Sequence, residues 1–381
     1  MARSTTRRAA RVVVLCVCAL SVAALFGATV RQALLMNSAV ADVVEKESSG
    51  AQMLHPMTTL VGELVGAQST AVRGEKVDGE ALRKALAGVE GVGEEYGGTL
   101  QTNTRLVELT AAVETALRQS DTGAAAYETY TSLVRLAVDM VHQIGDTSHL
   151  IHDPDLDSFY LMDAAIIRLP DATVLAGRAA DLVAMAGATT LEGENLMRAA
   201  VARYGVSAAA EQVTTGLQKS VEITTRSELS SRIAERLDAF RAAADAFAPP
   251  TMLSQLAGSV NAATLAANAR QVYATAVPLA HRLLFELQAL LDQRAKKLAG
   301  ERRLLIISAV AAGVLGLVML WLLVLPRRRA GGGEAAAGSS GGDETRIGSL
   351  RYAREILEAE EELVHVGRAV RARPRERDDA Q

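Results

Sequence analysis

Two stretches of the chain contain no charged residue: 12-VVVLCVCALSVAALFGATV-30 and 304-LLIISAVAAGVLGLVMLWLLVLP-326. As helices, their 19 and 23 residues would extend about 28 and 34 Å, enough to cross a hydrocarbon core about 30 Å thick. The sequence therefore predicts two transmembrane helices, 12–30 and 304–326, which flank a long polar region, residues 31–303. The alternative for the first stretch is a cleaved signal peptide, since its basic start and apolar middle also fit one.

The charges around the first stretch predict its orientation. Four arginines precede it and only Arg31 follows it closely, so residues 1–11 should stay in the cytoplasm. Residues 31–303 would then lie outside, and the chain after residue 326 would return to the cytoplasm. A basic cluster just before the second stretch opposes this orientation: Arg294, Lys296, Lys297, Arg302 and Arg303. The first span usually dominates, and long loops cross largely regardless of charge, so we expect both termini to be cytoplasmic.

The polar region should fold as helices without covalent cross-links. Only 3% of the residues are aromatic, alanine is abundant, and apolar residues recur every three to four positions, a pattern typical of amphipathic helices. The only cysteines, Cys16 and Cys18, lie two residues apart in the first stretch, where one helix would point them in different directions. Residues 31–303 can therefore form no disulfide and offer no cysteine ligand to a metal.

Turn and capping residues predict six or seven helices, several of them longer than about 25 residues. We expect Pro56 to end a helix that continues from the first span, Asp78 to cap the next, and Ser120 or Asp121 to cap another. The pair 249–250, two prolines, should begin a last helix that runs unbroken through the second span. The predicted fold is all-α, an extended antiparallel bundle, with two stacked four-helix bundles favoured over a single one.

The most specific segment is 152-HDPDLDSFYLMD-163. Asp153 can cap a helix, Pro154 suits the first helical position, and Asp155 and Asp157 place negative charge at the positive end of the helix dipole. A well-formed helix start explains all of these residues. Asp163 lies further along the same predicted helix. The pattern alone therefore predicts a helix that begins near residue 153.

Residues 153–163 also resemble the string DPDLDSYYLMD, which recurs in the periplasmic helical sensory regions of some bacterial chemoreceptors, sensor histidine kinases and diguanylate cyclases. The segments 167-IRLPD-171, 176-AGR-178 and 273-YATAVPLAHRLL-284 look like the continuation and the last helix of such regions. The early helix departs from them, because 65-VGAQST-70 stands where a His-Arg-Gly element is often found. The resemblance implies a periplasmic sensory module in a bacterial inner membrane and leaves the ligand open.

Three residues are candidates for a ligand pocket. Arg168 and Arg178 lie ten residues apart, on a similar face of one predicted helix, and could bind a small anion together with Tyr160. The competing interpretation is that both are ordinary surface arginines. We hypothesise that these three residues contribute to ligand binding.

A metal site is a weaker hypothesis. His142, Asp146 and His149, followed by Asp153, recur on one helical face, but that face lies opposite the apolar one and would be solvent-exposed. Asp153 to Asp157 imitate the start of a calcium loop, yet Ser158 and Ala164 replace its glycine and glutamate. We therefore predict no metal or other cofactor.

Enzymatic and nucleic-acid functions have no support. No nucleophile–base pair, phosphate loop or zinc spacing is present. A net charge of −4 and few aromatic residues do not suit nucleic-acid binding.

The chain beyond the second span is short. Residues 327–342 are rich in Gly, Ala and Arg and predict a flexible linker. The tail, 343–381, should contain an amphipathic helix over 343–372 but has no room for a kinase, cyclase or chemoreceptor output domain. We expect this helix to contact itself or a cytoplasmic signalling protein.

The sequence thus predicts a two-pass, homodimeric, receptor-like protein that binds a small ligand outside the membrane and passes a helix displacement to a cytoplasmic partner. The alternatives are an envelope scaffold with a protein-binding helical surface and a truncated remnant of a receptor. A sensor should have a concave pocket with converging polar groups, whereas a scaffold should have an exposed apolar patch.

Overall fold

The computed structural model of the protein describes residues 2–152, 156–186, 192–223, 229–249 and 261–324. The predicted linker 327–342 and tail helix 343–372 lie outside the described residues, as do Asp153, Pro154 and Asp155 of the motif. Within the described ranges the chain is all-helical and has no strand, as its composition predicts.

The helices in chain order are α1 (Ala2–Val72), α2 (Gly79–Tyr96), α3 (Asn103–Gln119), α4 (Gly123–Thr147), α5 (Leu156–Met162), α6 (Leu169–Ala186), α7 (Glu192–Ile223), α8 (Leu229–Phe247) and α9 (Ala262–Val324). A π-helical turn, Asp163–Arg168, joins α5 to α6 without a break, and a short 3₁₀ turn, Leu150–His152, follows α4. Counted as continuous helices, the described ranges contain eight, against the six or seven predicted.

Two of these helices are long and apolar enough to cross a membrane. α1 has 71 residues and α9 has 63, which correspond to about 107 and 95 Å of helix. Their apolar windows are 6% and 0% buried within the protein. Large apolar side chains on both are exposed, for example Leu20, Leu25, Leu317 and Trp321. The prediction of two helices that are long and apolar enough to cross a membrane is therefore confirmed.

α1 and α9 run in opposite directions along each other outside the candidate spans. Asn37 Nδ2 donates a hydrogen bond of 3.3 Å to the Leu298 carbonyl, and Gln288 Nε2 donates one of 2.5 Å to Ser48 Oγ. Further from the spans, His281 Nε2 lies 3.1 Å from Thr59 Oγ1. As the residue number rises on α1 it falls by a similar amount on α9, so the pair keeps one register.

One segment of α1 forms the centre of the fold. Its side chains pack against three other helices: Tyr96 of α2 hydrogen-bonds to Gln52, Thr131 of α4 to Gln68, and Gly177 of α6 lies against Val65. The large apolar residues along this segment are at most 1% exposed: Met53, Leu54, Met57, Leu60 and Leu64. Each contributes roughly 1.5–3 kcal/mol by its burial, which explains why this part of α1 is continuous.

The prediction that Pro56 ends the first helix is wrong. α1 continues through Pro56 to Val72. A proline in a helix removes one backbone hydrogen bond and crowds the preceding turn. Its neighbours Met53 and Met57 are fully buried, and the packing of this turn outweighs that cost. α9 likewise continues through Pro278.

The predicted caps are partly confirmed. Asp78 caps α2, because its Oδ1 accepts hydrogen bonds of 3.1 Å from the backbone N–H groups of Glu80 and Ala81. Neither Ser120 nor Asp121 caps α4, which begins at Gly123 after Thr122. Ser120 instead ends α3 in the left-handed conformation, with φ of 52°. That conformation commonly terminates helices.

The last helix also begins later than predicted. α9 starts at Ala262, not at the proline pair 249–250. Asn261 Oδ1 accepts a hydrogen bond of 3.0 Å from the Thr264 N–H and supplies the cap. Asparagine is among the best N-capping residues. From Ala262 the helix is continuous to Val324, as expected of a helix that leads into the second span.

Candidate functional site

The motif segment lies against the part of α9 that leads into the second candidate span. Ser158 is 1% exposed, and its Oγ accepts a hydrogen bond of 2.9 Å from Arg294 Nη2. Arg294 precedes the uncharged stretch 304–326 by ten residues. Asp157 lies within α5, whereas the rest of the predicted helix start falls in residues 153–155. The sequence singled out this segment but gave no sign of its contact with α9.

The motif ends in the π-helical turn. Asp163 and Arg168 form an ion pair of 3.1 Å across it, with their side chains about one-quarter to one-third exposed. They are five residues apart, which is the spacing that a π-helix brings together. Arg168 is therefore already paired with a carboxylate of its own helix.

The three predicted ligand-binding residues lie in separate environments. Tyr160 packs against α7, with the Lys219 ammonium 5.8 Å from its ring centre. Arg168 pairs with Asp163, and Arg178 is exposed on α6, near Tyr127 of α4. The structure does not bring these side chains together around one cavity, and their role in ligand binding stays a prediction.

Among the described residues, the cavities large enough for a small molecule include two open ones. One, of about 730 Å³, is a groove between α1 and α9 beside the candidate spans, bordered by Asn37, Glu45 and Arg302. The other, of about 800 Å³, lies among the α1–α2 and α3–α4 connections, with Tyr130 on its wall. Neither is lined by Tyr160, Arg168 or Arg178.

Most charged groups around the second cavity already have partners within the protein. Glu75 pairs with Arg73, Arg83 with Glu114, and Asp78 caps α2. Asp121 accepts a hydrogen bond from the Thr129 hydroxyl. These groups are therefore engaged in contacts between and within the helices that border the cavity.

The helical face considered as a weaker hypothesis for a metal site does not form. α4 ends at Thr147, and His149 lies beyond it with φ of 66°, off the helical face that was to align it with His142 and Asp146. His142 is half-buried near Asp171 of α6, whereas Asp146 is exposed. Among the described residues no group of three or more His, Cys, Asp or Glu could hold a metal ion.

A pair of stacked histidines joins α1 to α9. The rings of His55 and His281 are 3.9 Å apart, centre to centre, and 22° from parallel. His281 Nε2 is also 3.1 Å from the His55 carbonyl oxygen, to which it donates a hydrogen bond in the tautomer that carries the proton on Nε2. Burial and the facing His55 lower the pKa of His281 to about 4, and burial lowers that of His55. Pro56 and Pro278 lie within three residues of this pair.

We expect the histidine pair to make the fold sensitive to acid. Because the pKa of this histidine is lower in the folded state, the folded protein binds fewer protons than the unfolded chain between about pH 4 and 6.5. Its contribution to the free energy of unfolding is therefore present above this window and is lost as the pH falls through it. His281→Gln should reduce this loss, measured as the thermal unfolding midpoint between about pH 4 and 7. An unchanged acid-side profile in the variant would contradict the assignment, and His149→Gln, at an exposed histidine, is the control.

The buried carboxylates Glu286 and Asp181 were not predicted. Glu286 of α9 has a side chain 2% exposed and pairs with Arg282 and Arg232, while Asp181 of α6 is 1% exposed. Both could have been found as single acids inside apolar runs, 283-LLFEL-287 and 179-AADLVAMA-186. Lone acids are almost never fully buried unless paired.

No family model, curated protein or solved structure matches this chain. The resemblance of residues 153–163 to bacterial sensory regions therefore stays a prediction.

Proposed function

We propose that the protein is a two-pass transmembrane sensor that binds a small ligand outside the membrane and passes the signal as a displacement of α9 against α1. The main support is that α1 and α9 each continue from the buried core into a candidate span without a break. Their hydrogen bonds hold one register from Thr59–His281 to Asn37–Leu298. A shift of α9 against α1 in the core would therefore be transmitted along the continuous helix to the membrane.

The proposed architecture is an extended antiparallel bundle. The helices of the two halves of the chain would lie side by side around α1, because the segment that contacts α2 and α4 also contacts α6 and α9. Two bundles stacked end to end would place these contacts on successive segments of α1. The packing thus favours the side-by-side arrangement.

The proposed topology follows the charges at the first span. Both termini would be cytoplasmic and residues 31–303 periplasmic, in a bacterial inner membrane. A homodimer would place two α1–α9 pairs together in the bilayer, and the tail, 343–372, would contact a cytoplasmic signalling partner. The proposal includes no catalytic step.

Ligand-induced stabilisation tests the sensor directly. The full chain in detergent micelles would be unfolded thermally against a panel of organic acids, amino acids, nitrate and divalent metals. A ligand at 100 times its Kd stabilises the folded state by about 2.7 kcal/mol, which corresponds to a midpoint increase of roughly 5–10 °C. An increase from one chemical class supports the sensor, and no increase from any compound counts against it.

An exposed apolar stripe on α7 favours an envelope scaffold as the second candidate. Met197, Val201 and Tyr204 are 63%, 65% and 63% exposed and recur on one helical face, with Leu196 beside them at 39%. Such a stripe is typical of a protein-binding surface. A photo-crosslinking residue at Val201 should capture one defined envelope protein in cells, whereas the same residue at the exposed Glu211 should not.

A further inference from the structure

A buried carboxylate without a partner lies at the meeting point of several helices. Asp181 of α6 is 1% exposed, and neither of its oxygens has a hydrogen-bond partner among the described residues. The hydroxyl of Ser69 on α1 is equally buried and unpartnered, and the amide of Gln68 donates to Thr131 of α4 instead. An isolated ionised carboxylate in such a place is strongly unfavourable, so this side chain requires an explanation.

The contact between α6 and α1 shields this carboxylate from bulk water. Gly177 lies one turn before Asp181, on the same face of α6. A Cβ atom at Gly177 would overlap the side chain of Val65 on α1. α6 and α1 are thus in direct contact one turn from Asp181, and this contact keeps bulk water away from the carboxyl group.

The charged and titratable groups around Asp181 come from five helices. Arg73, directly after α1, is the cation that acts on it, and the guanidinium of Arg73 is bound to Glu75 at 3.1 Å. The other groups near this cluster are Glu63 of α1, Arg178 of α6, Tyr127 of α4, Arg198 of α7, and Arg270 and Tyr273 of α9. Burial raises the pKa values of both tyrosines, that of Tyr273 to about 12, so they remain neutral.

Burial also dominates the titration of Asp181 itself. It raises the pKa of this carboxyl from 3.8 to about 7, and the neighbouring Ser69, Arg73 and Gln68 oppose the increase only in part. Ser69 and Gln68 lie beside the carboxyl without forming hydrogen bonds of good geometry to it. The buried position thus suits a protonated Asp181 far better than an ionised one.

We propose that Asp181 is a proton-binding site through which the pH outside the membrane sets the packing of α6 against α1. When the carboxyl releases its proton to water, the remaining charge must be compensated. Either α6 separates from α1 and admits water, or Arg73 leaves Glu75 and turns to Asp181. This inference rests on the proposed sensory function and names the proton as a stimulus.

The direction of the effect follows from proton linkage. Between about pH 4 and 7 the folded protein holds a proton on Asp181 that the unfolded chain has lost. Stability therefore falls as the pH rises through this window, which is opposite to the contribution of His281. A comparison of Asp181→Asn with the unchanged protein at each pH isolates the Asp181 contribution.

The first experiment measures thermal unfolding of the full chain in detergent micelles. Asp181→Asn keeps the shape of the side chain and cannot ionise. The measured quantity is the difference between the unfolding midpoints of Asp181→Asn and the unchanged protein. This difference should increase by roughly 5–10 °C in favour of Asp181→Asn between about pH 5 and 8.5. Asp146→Asn, at an exposed carboxylate, should give no such trend. Parallel pH profiles of Asp181→Asn and the unchanged protein would overturn the proposal.

The second experiment measures the packing of α6 by amide hydrogen exchange. The two proteins are compared at the same pH, so the intrinsic exchange rates cancel. At about pH 8.5, α6 should exchange faster in the unchanged protein than in Asp181→Asn, and at about pH 5 the rates should agree. Arg73→Gln, which removes the alternative counter-ion, should enlarge the difference at high pH. Equal rates at both pH values would overturn the proposal.

The same exchange data separate this inference from the proposed function. If α6 responds to pH and residues 290–303 of α9 respond with it, both are supported. If α6 responds alone, the proton site is supported, and transmission of this stimulus by α9 is contradicted. A ligand-induced midpoint shift without any response of α6 would contradict the proton site and leave the sensor supported.

Discussion

Phe240→Ala should lower the free energy of unfolding by about 3–5 kcal/mol, the largest effect we expect from any single apolar substitution. Phe240 lies on α8 and is fully buried. Its replacement removes most of an aromatic side chain and leaves a cavity that neighbouring helices can fill only in part. For a domain of this size, the thermal unfolding midpoint should fall by roughly 6–20 °C.

Arg241→Ala is the matched control for Phe240→Ala. Arg241 is the next residue on α8, and its side chain is exposed. Its substitution should change the stability by no more than about 0.5 kcal/mol. Similar losses from both substitutions would show that α8 does not bury Phe240 in a packed core.

Arg282→Met should destabilise the fold by about 3 kcal/mol because it removes one partner from a buried ion pair. Arg282 Nη2 is 2.5 Å from Glu286 Oε1, and the Glu286 side chain is 2% exposed. The remaining cation, Arg232 of α8, is 3.7 Å from the same oxygen and compensates only part of the charge. The loss would be measured by chemical denaturation of the full chain in micelles.

A double-mutant cycle distinguishes the lost pair from lost packing. If the uncompensated charge of Glu286 causes the effect, Glu286→Gln in the Arg282→Met background should restore part of the stability. A double variant as unstable as the sum of the single ones would mean that the two side chains act independently. The cycle therefore tests whether the unpaired charge of Glu286, and not the lost packing of Arg282, causes the loss of stability.

The helical class and the two candidate spans could be predicted because each depends on local sequence. Uncharged runs of 19 and 23 residues report membrane-crossing length without reference to the rest of the fold. The cap at Asp78 was equally local, since an aspartate directly before a helix satisfies backbone N–H groups within three residues.

The errors arose where packing outweighs local preference. Pro56 has a helix-ending tendency, but the buried turn around it keeps α1 intact. Ser120 was assigned to the start of a helix and instead ends one, because a left-handed residue at that position satisfies the end of α3. His149 was placed on a helical face that α4 no longer continues.

The candidate site was the least predictable part, because its residues come together from distant segments. The pairs Arg294–Ser158 and His281–His55 join positions 136 and 226 residues apart. No periodicity in one segment reveals such a contact. Asp181 and Glu286 did leave a signal, a single acid in an apolar run, and this signal deserves as much weight as a motif.

The central claim is that α1 and α9 keep one antiparallel register from the core to the membrane. It is tested most directly by cysteine cross-linking of the full chain in membranes, with Cys16 and Cys18 replaced by serine. Asn37→Cys paired with Leu298→Cys should cross-link efficiently, because Asn37 bonds to the Leu298 carbonyl at 3.3 Å. Asn37→Cys paired with Gln288→Cys should not cross-link, because Gln288 lies about 15 Å from Leu298 along α9, on the side away from the candidate span. Equal cross-linking of both pairs, or of the second pair alone, would contradict the register and the route of signalling built on it.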